Sequence, residues 1–350
     1  MANIQFHGVS IRAVATCVPK QTERISDLNW LFSEKEQEIF SKGTGIFQRR
    51  IAGKNICTSD LCFAAAKKLF SDNDISPSSI DAVLFVSKTA DYIIPATSAL
   101  LQDRLKIPQS ALCLDLRLAC SGYVYALSAA YAYASQKGID RVLLLAGDTN
   151  SKIVSRKSKS EYPVFGDGGS ATLIEKGSFA DVYFDLGTDG GRGDAVIIPC
   201  ENGGRNAITE ASLTYKTDEN GNERNLLQMH MKGMDVFSFA ISAVPKSIQS
   251  LSNFSKTPLE NVDGFLIHQA NRFILQTLAK KLKVPADKMP MNIDRFGNTS
   301  SASIPLLMAT VFSKTLDGNF VLCGFGSGLS WASMMQEMRD VAVSELVEIM

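Results

Sequence analysis

The order of local patterns in the first half of this 350-residue chain returns in the second half. The apolar run "IDAVLFVSK" (Ile80–Lys88) has its counterpart in "VDGFLIHQ" (Val262–Gln269). The segment around Cys120 is echoed around Asn298, and "RVLLLAGD" (Arg141–Asp148) is echoed by "NFVLCGFGS". Asp81 and Asp263 lie 182 residues apart, Cys120 and Asn298 178, and Val142 and Val321 179. A nearly constant offset is the mark of an internal duplication. It predicts two similar halves, 1–178 and 179–350, built as one compact unit because no Pro- or Ser-rich linker separates them.

Within each half, strand-like runs alternate with helical ones, which predicts an α/β fold. "ALCLDLRLA" (Ala111–Ala119) reads as a strand with Leu112, Leu114, Leu116 and Leu118 on one face. "CSGYVYALSAAYAYASQKG" reads as a helix opening at Cys120 and ending at Gly138, small and apolar nearly all round, hence buried on all sides. The pairing of halves would stack the sheets with two such helices between them. The polar stretch Glu201–Asn225 reads as an exposed excursion.

Composition narrows the function. Lys+Arg and Asp+Glu both number 36, so neither nucleic acid nor an anionic membrane surface is an expected partner. No run is long and apolar enough to span a membrane, and the first residues lack the pattern of a secretory signal. Seven cysteines without CxxC pairs predict free thiols in a cytoplasmic protein and no metal site.

Three residues stand at strand-to-helix junctions, where ligands of α/β proteins gather. Cys120 at a helix start would have its thiolate favoured by the helix dipole. Taken alone, Cys120 fits a buried thiol as well as a nucleophile, His268 fits a satisfied core histidine, and Asn298 fits a turn residue. The duplication places Cys120 and Asn298 at equivalent positions and brings His268 to the same centre. A thiol, an imidazole and an amide form a coherent acyl-transfer set. His7 lies near the terminus, and His230 sits in a strand-like alternation, "LLQMHMKGM".

The motifs "LACSG", "HQAN" and "GNTSSAS", with "TGI" (Thr44–Ile46), "FGDGGSA" (Phe165–Ala171) and "GFGSGLSWAS" (Gly324–Ser333), resemble those of 3-oxoacyl-(acyl-carrier-protein) synthase III. The resemblance runs from about Phe6 to Met334. It implies a thiolase-like fold of five layers, αβαβα, and a homodimer. It implies a catalytic set of Cys120, His268 and Asn298, with an oxyanion hole from the backbone N–H groups of Cys120 and Ser327. The implied reaction is acyl transfer to Cys120, then decarboxylative condensation with a malonyl thioester on acyl carrier protein, in fatty acid biosynthesis. No cofactor is implied beyond the phosphopantetheine of acyl carrier protein or coenzyme A that carries the substrates.

Substrate contacts depart from the family. Ile39 and Gly43 stand where a Trp and an Arg clasp the adenine of coenzyme A. Phe273 stands in the place of a carrier-docking arginine, with Arg272 beside it. Ile94, before Pro95, replaces the phenylalanine that closes the acyl pocket of the partner subunit, whereas Phe165 of "FGDGG" is retained as a substrate contact. Arg272, Lys280 and Lys281, and the basic run Lys152–Lys159, are candidates for docking an acidic carrier protein. The alternatives are an acyltransferase of the same fold that delivers its acyl group to a hydroxyl or amine without condensation, a papain-like hydrolase and a non-catalytic subunit. The papain-like signature is absent, and the intact set argues against a non-catalytic subunit.

Overall fold

The computed structural model describes residues 2–350. Ten strands carry the architecture: β1 (Ala2–Phe6), β2 (Val9–Pro19), β3 (Ala82–Val86), β4 (Leu112–Leu116), β5 (Arg141–Thr149), β6 (Asp167–Lys176), β7 (Val182–Thr188), β8 (Gly264–Ile267), β9 (Lys314–Gly326) and β10 (Ser330–Val343). The helices that matter are α1 (Glu34–Thr44), α2 (Thr58–Asp72), α3 (Thr97–Arg104), α4 (Gly122–Ala134), α5 (Gly233–Ser255), α6 (Arg272–Leu282) and α7 (Ser303–Val311).

The strands form two sets with the same internal logic. In the first the order is β2-β6-β5-β3-β4, with β3 parallel to both β5 and β4 and the remaining pairs antiparallel. In the second the order is β1-β7-β10-β9-β8, with only β9 and β8 parallel. The sets meet where Ala342 and Val343 of β10 pair with Ala13 and Val14 of β2. Strand β3 is buried along its whole length, as a parallel strand covered on both faces must be, and its sequence AVLFV is accordingly apolar throughout.

Three apolar clusters define five layers. The largest lies between the two strand sets, where Tyr123, Val124, Leu127 and Tyr131 of α4 and Ile304, Leu307 and Met308 of α7 meet Leu84, Leu144, Leu322 and Met334. A second cluster sets α2 and α3 on the outer face of the first sheet, and a third sets α5 and α6 on the outer face of the second. Burying each Leu or Phe side chain contributes about 1.5–3 kcal/mol, so the middle layer, closed on both sides, is the best-anchored part of the molecule. Helices α4 and α7, which follow Cys120 and Asn298 in the chain, start there.

Several expectations are corrected. Helix α4 begins at Gly122, with Ser121 as its cap, so Cys120 precedes the helix and is not its first residue. One side of α4 reaches the surface at Ala132. The alternation around His230 yields only a two-residue pairing of His230–Met231 with Val196–Ile197, and α5 starts at once afterwards. The 201–225 stretch is largely exposed, as expected, but it also has structure of its own. It holds a short helix, Glu210–Leu213, and a strand pair, and its Arg224 is inserted between Glu161 and Asp218. No helix among the described residues is long and apolar enough to cross a membrane.

Candidate active site

Cys120, His268 and Asn298 converge where the middle helices begin. Residues Arg117–Ala119 lead from β4 to Cys120, which sits one residue before the cap of α4. The end of β9 must leave room for it. A Cβ on Gly326 would stand 2.7 Å from Cβ of Cys120, and one on Gly324 would stand 2.8 Å from its carbonyl oxygen. His268 follows the last residue of β8, and its ring meets Phe325 edge-on at 5.3 Å. Asn298 follows Gly297, whose φ of +61° suits glycine. The amide of Asn298 donates to Val164 O at 2.9 Å and its carbonyl accepts from Gly166 N at 3.0 Å, which fixes this loop to the segment of Phe165.

Ser300 is the hub. Its Oγ lies 3.6 Å from Cys120 Sγ, and its backbone N–H donates to Asn298 Oδ1 at 2.9 Å. That bond orients the Asn298 side-chain amide through its oxygen. The Ser300 backbone favours a protonated His268 imidazole, against the larger effect of burial. His268 Nδ1 lies 2.7 Å from Ser303 Oγ. With Ser303 donating to Nδ1, the ring carries its proton on Nε2.

The electrostatics suit a neutral imidazole. Burial pushes the His268 pKa down to about 3, with the nearby Lys88 cation adding to the effect. Between about pH 6.5 and 3 the unfolded chain therefore binds a proton that the folded site refuses, and folding stability falls as pH drops through that window. Replacing His268 by Gln should reduce this dependence by about 1.4 kcal/mol per pH unit, measured as the difference in slope of unfolding free energy against pH. Equal slopes would show that the imidazole is protonated in the fold.

The Cys120 thiol is not favoured as simply as a helix dipole alone suggests. Burial raises its pKa, while Lys88 and the Ser300 hydroxyl pull it back. Cys17 and Cys323, buried without a cation, are pushed up to about 12. Lys88, Asp148, Ser300 and Ser303 were not singled out from the sequence. Lys88 ends the strand-like run Ile80–Lys88, and Asp148 ends its neighbour, so strand-end position was the available signal.

Beside Cys120 a cleft of about 890 Å³ is lined by Lys88, Ala119, Ser327, Ile198 and Met229, with Glu201, Arg205 and Ile208 of the 201–225 stretch forming one wall. Phe165 is buried, with its ring centre 5.8 Å from Lys88 Nζ. Ser327 follows β9 immediately, and its carbonyl accepts from Ser330 Oγ at 2.8 Å.

Other sequence-derived candidates lie apart from the triad. Ile39, on the exposed face of α1, is 61% accessible, and Gly43 has open space around it. Arg272 packs over Phe47 and beside Gly45, while Lys280 and Lys281 are exposed at the far end of α6. Ile94 is 83% accessible in this single chain, next to exposed Tyr92 and Ile93. The basic run is mostly engaged: Lys157 pairs with Glu223, Lys159 with Glu36, and Arg156 lies over Trp30. No cluster of metal-ligating side chains occurs among the described residues.

Comparison with known proteins decides the family. Residues 114–190 match the model of 3-oxoacyl-[acyl-carrier-protein (ACP)] synthase III, and residues 253–338 match that of its C-terminal part. The chain is 35% identical to beta-ketoacyl-[acyl-carrier-protein] synthase III of Lactococcus lactis over 331 residues, 92% of this chain and 97% of that one. The chain belongs to the 3-oxoacyl-(acyl-carrier-protein) synthase III family. A putative 3-oxoacyl-[acyl-carrier-protein] synthase 3 of Campylobacter jejuni is 32% identical over 98% of both chains. The crystal structure of 3-oxoacyl-(acyl-carrier protein) synthase from Burkholderia xenovorans superposes with a TM-score of 0.91 at 34% identity over 99% of both chains. The fold is thus the thiolase-like one, and the enzyme is an acyltransferase of the condensing kind.

Proposed function

We propose that this enzyme loads an acyl group onto Cys120 and condenses it with a malonyl thioester, using His268 and Asn298 as the donors that drive decarboxylation. The observation that carries this reading is the pair of hydrogen bonds that occupy Asn298 Oδ1 and His268 Nδ1. With the Ser303 hydroxyl donating to Nδ1, both side chains offer an N–H, on Nδ2 and Nε2, to one substrate oxygen.

In the first step the Cys120 thiolate attacks the donor thioester. A new C–S bond forms, the old one breaks, and the donor leaves as a thiolate that takes a proton from solvent. In the second step the malonyl thioester binds with its carbonyl oxygen between His268 Nε2 and Asn298 Nδ2. The C–C bond to the carboxylate breaks, carbon dioxide leaves, and the electron pair becomes an enolate held by those donors. The enolate carbon attacks the acyl-Cys120 carbonyl. Its oxyanion is taken by the amides of Cys120 and Ser327, from which no backbone carbonyl among the described residues accepts. Collapse expels Cys120 as the thiolate with which the cycle began and releases a 3-oxoacyl thioester. Side chains and amides cover every step, so the scheme calls for no metal or redox cofactor. Family membership favours condensation over transfer to a hydroxyl or amine. Mass spectrometry of the product tests it: a 3-oxoacyl thioester two carbons longer than the loaded acyl group is expected, and an ester or amide would refute it.

The halves 1–178 and 179–350 fit this reading, since the matching orders β2-β6-β5-β3 and β7-β10-β9-β8 bring Cys120 from one and His268 and Asn298 from the other to one centre. A homodimer fits too. Strand β4 is half-buried at a free sheet edge, and Tyr92, Ile93 and Ile94 are exposed near it. Reaction partners would be acyl and malonyl thioesters on an acidic acyl carrier protein in the cytoplasm, docked through Arg272, Lys280 and Lys281.

The acyl donor in this reading is carrier-bound. A Trp and an Arg clasp contribute on the order of 1 kcal/mol each to holding an adenine. Exposed Ile39 and open Gly43 supply neither, so coenzyme A thioesters should bind roughly tenfold more weakly than with the clasp. Loading from the carrier should exceed loading from coenzyme A and should fade with salt. Equal, salt-independent rates from both donors would reject this preference.

A further inference from the structure

The nucleophile of this enzyme has a cation beside it that is not the histidine. His268 is held neutral, so it brings no positive charge to the sulfur. Asp148, fully buried at the end of β5, acts against a thiolate. Lys88, just beyond β3, is the opposing charge. Its Nζ lies 2.8 Å from Ser300 Oγ and 2.6 Å from Asn150 Oδ1.

A structural role as the counter-ion of Asp148 would explain Lys88 poorly. Its Nζ stands 3.8 Å from Asp148 Oδ2, outside hydrogen-bond distance. The carboxylate is already served by Ser87 Oγ, the Lys88 backbone N–H, and the N–H and hydroxyl of Ser301. The ammonium reaches past it, towards the nucleophile.

The direction of the contacts matters. An ammonium has donors only, so Ser300 Oγ must accept from Lys88. A thiol at Cys120 donates its S–H to the second lone pair of Ser300 Oγ, 3.6 Å away, whereas a thiolate there accepts the single hydrogen of that hydroxyl. The chain Lys88 → Ser300 → Cys120 is thus fully satisfied when the sulfur is a thiolate. Ser300 also takes a costly backbone shape for this post. Its φ is +55°, in the left-handed region that a residue with a Cβ seldom enters, and it is fully buried.

We infer that Lys88, acting through the Ser300 hydroxyl, is a positioning residue that holds Cys120 as a thiolate ready for acyl loading. The inference rests on Cys120 as the nucleophile but not on the condensation that follows. It is therefore read on the thiol itself, without acyl substrate. The rate of iodoacetamide alkylation at Cys120 is followed by peptide mapping across pH in the full-length enzyme, its Lys88→Met, Lys88→Arg and Ser300→Ala variants. An opposite charge this near shifts a pKa by about one unit or more. Lys88→Met should move the midpoint of the profile up by about one unit and slow alkylation at pH 7 roughly tenfold, with the rate recovered at high pH. Ser300→Ala should move it in the same direction, and Lys88→Arg should restore the profile. Profiles of Lys88→Met and Ser300→Ala that superpose on the unaltered enzyme would overturn the inference. Should Lys88→Met fail to fold, Ser300→Ala decides alone, because it removes one hydroxyl and an unchanged midpoint leaves no relay. An unaltered enzyme that forms no 3-oxoacyl product, while Lys88→Met still shifts the alkylation profile, would count against the proposed reaction and not against the relay.

Discussion

Cys120→Ala is expected to take up no acyl group from any thioester, whereas Cys113→Ala and Cys323→Ala load as the unaltered enzyme does. Seven cysteines make the contrast informative. Cys323 is fully buried in β9 with its pKa pushed up to about 12, so it is protonated and out of reach at neutral pH. Cys113 lies in β4, where burial raises its pKa and Asp115 adds to the rise. Cys120 alone of these three has a cation and a hydroxyl directed at its sulfur and borders the cleft through Ala119. Intact-mass spectrometry checks the result. An acyl adduct that persists in Cys120→Ala, or that maps to another cysteine, would remove the basis of the mechanism.

His268→Ala and Asn298→Ala are expected to lose condensation by roughly 10²-fold or more while still accepting an acyl group. The reasoning is geometric. Neither side chain hydrogen-bonds Cys120 Sγ, whose partner is Ser300. Both are tied back at their second polar atom and present an N–H to the substrate. Removing either leaves the enolate oxygen with one donor in a buried site, which costs far more there than in water. Single-turnover measurements of loading and of carbon dioxide release, made separately, distinguish the steps. A variant that stays folded yet fails to load as completely as Cys120→Ala would mean that the imidazole or amide serves the first step after all.

The positions of the three site residues were legible because each interrupts a strong pattern. Cys120 breaks a leucine alternation, His268 ends a fully apolar strand, and Asn298 follows a glycine that turns the chain. The duplication then tied the first and third together, and the same order of strands appears in both sets. What could not be read was contact. Ser300 lies two residues beyond Asn298 in a run of small polar residues, and nothing in "NTSSAS" tells which hydroxyl meets the sulfur. Lys88 reads as an ordinary charge at a strand end, because its neighbours Asn150 and Ser300 are brought to it by the fold across 62 and 212 residues. The 201–225 stretch is largely exposed, as its polarity signals, but its internal pairing was not legible. Arg224 finds two carboxylates, and polar groups pack when they are paired. The basic run Lys152–Lys159 is a docking candidate by charge, but the fold supplies Glu36 and Glu223 to two of its members.

The measurement that bears most directly on the whole account is the stoichiometry of one turnover. Enzyme loaded with a stable acyl group on Cys120 is mixed with malonyl-acyl carrier protein, and carbon dioxide release and loss of acyl mass from Cys120 are followed together. The account predicts one carbon dioxide released for each acyl group that leaves Cys120, with both signals absent within the same time in His268→Ala. Acyl groups leaving Cys120 with no carbon dioxide released would contradict it, since the enzyme would then be transferring its acyl group without condensation.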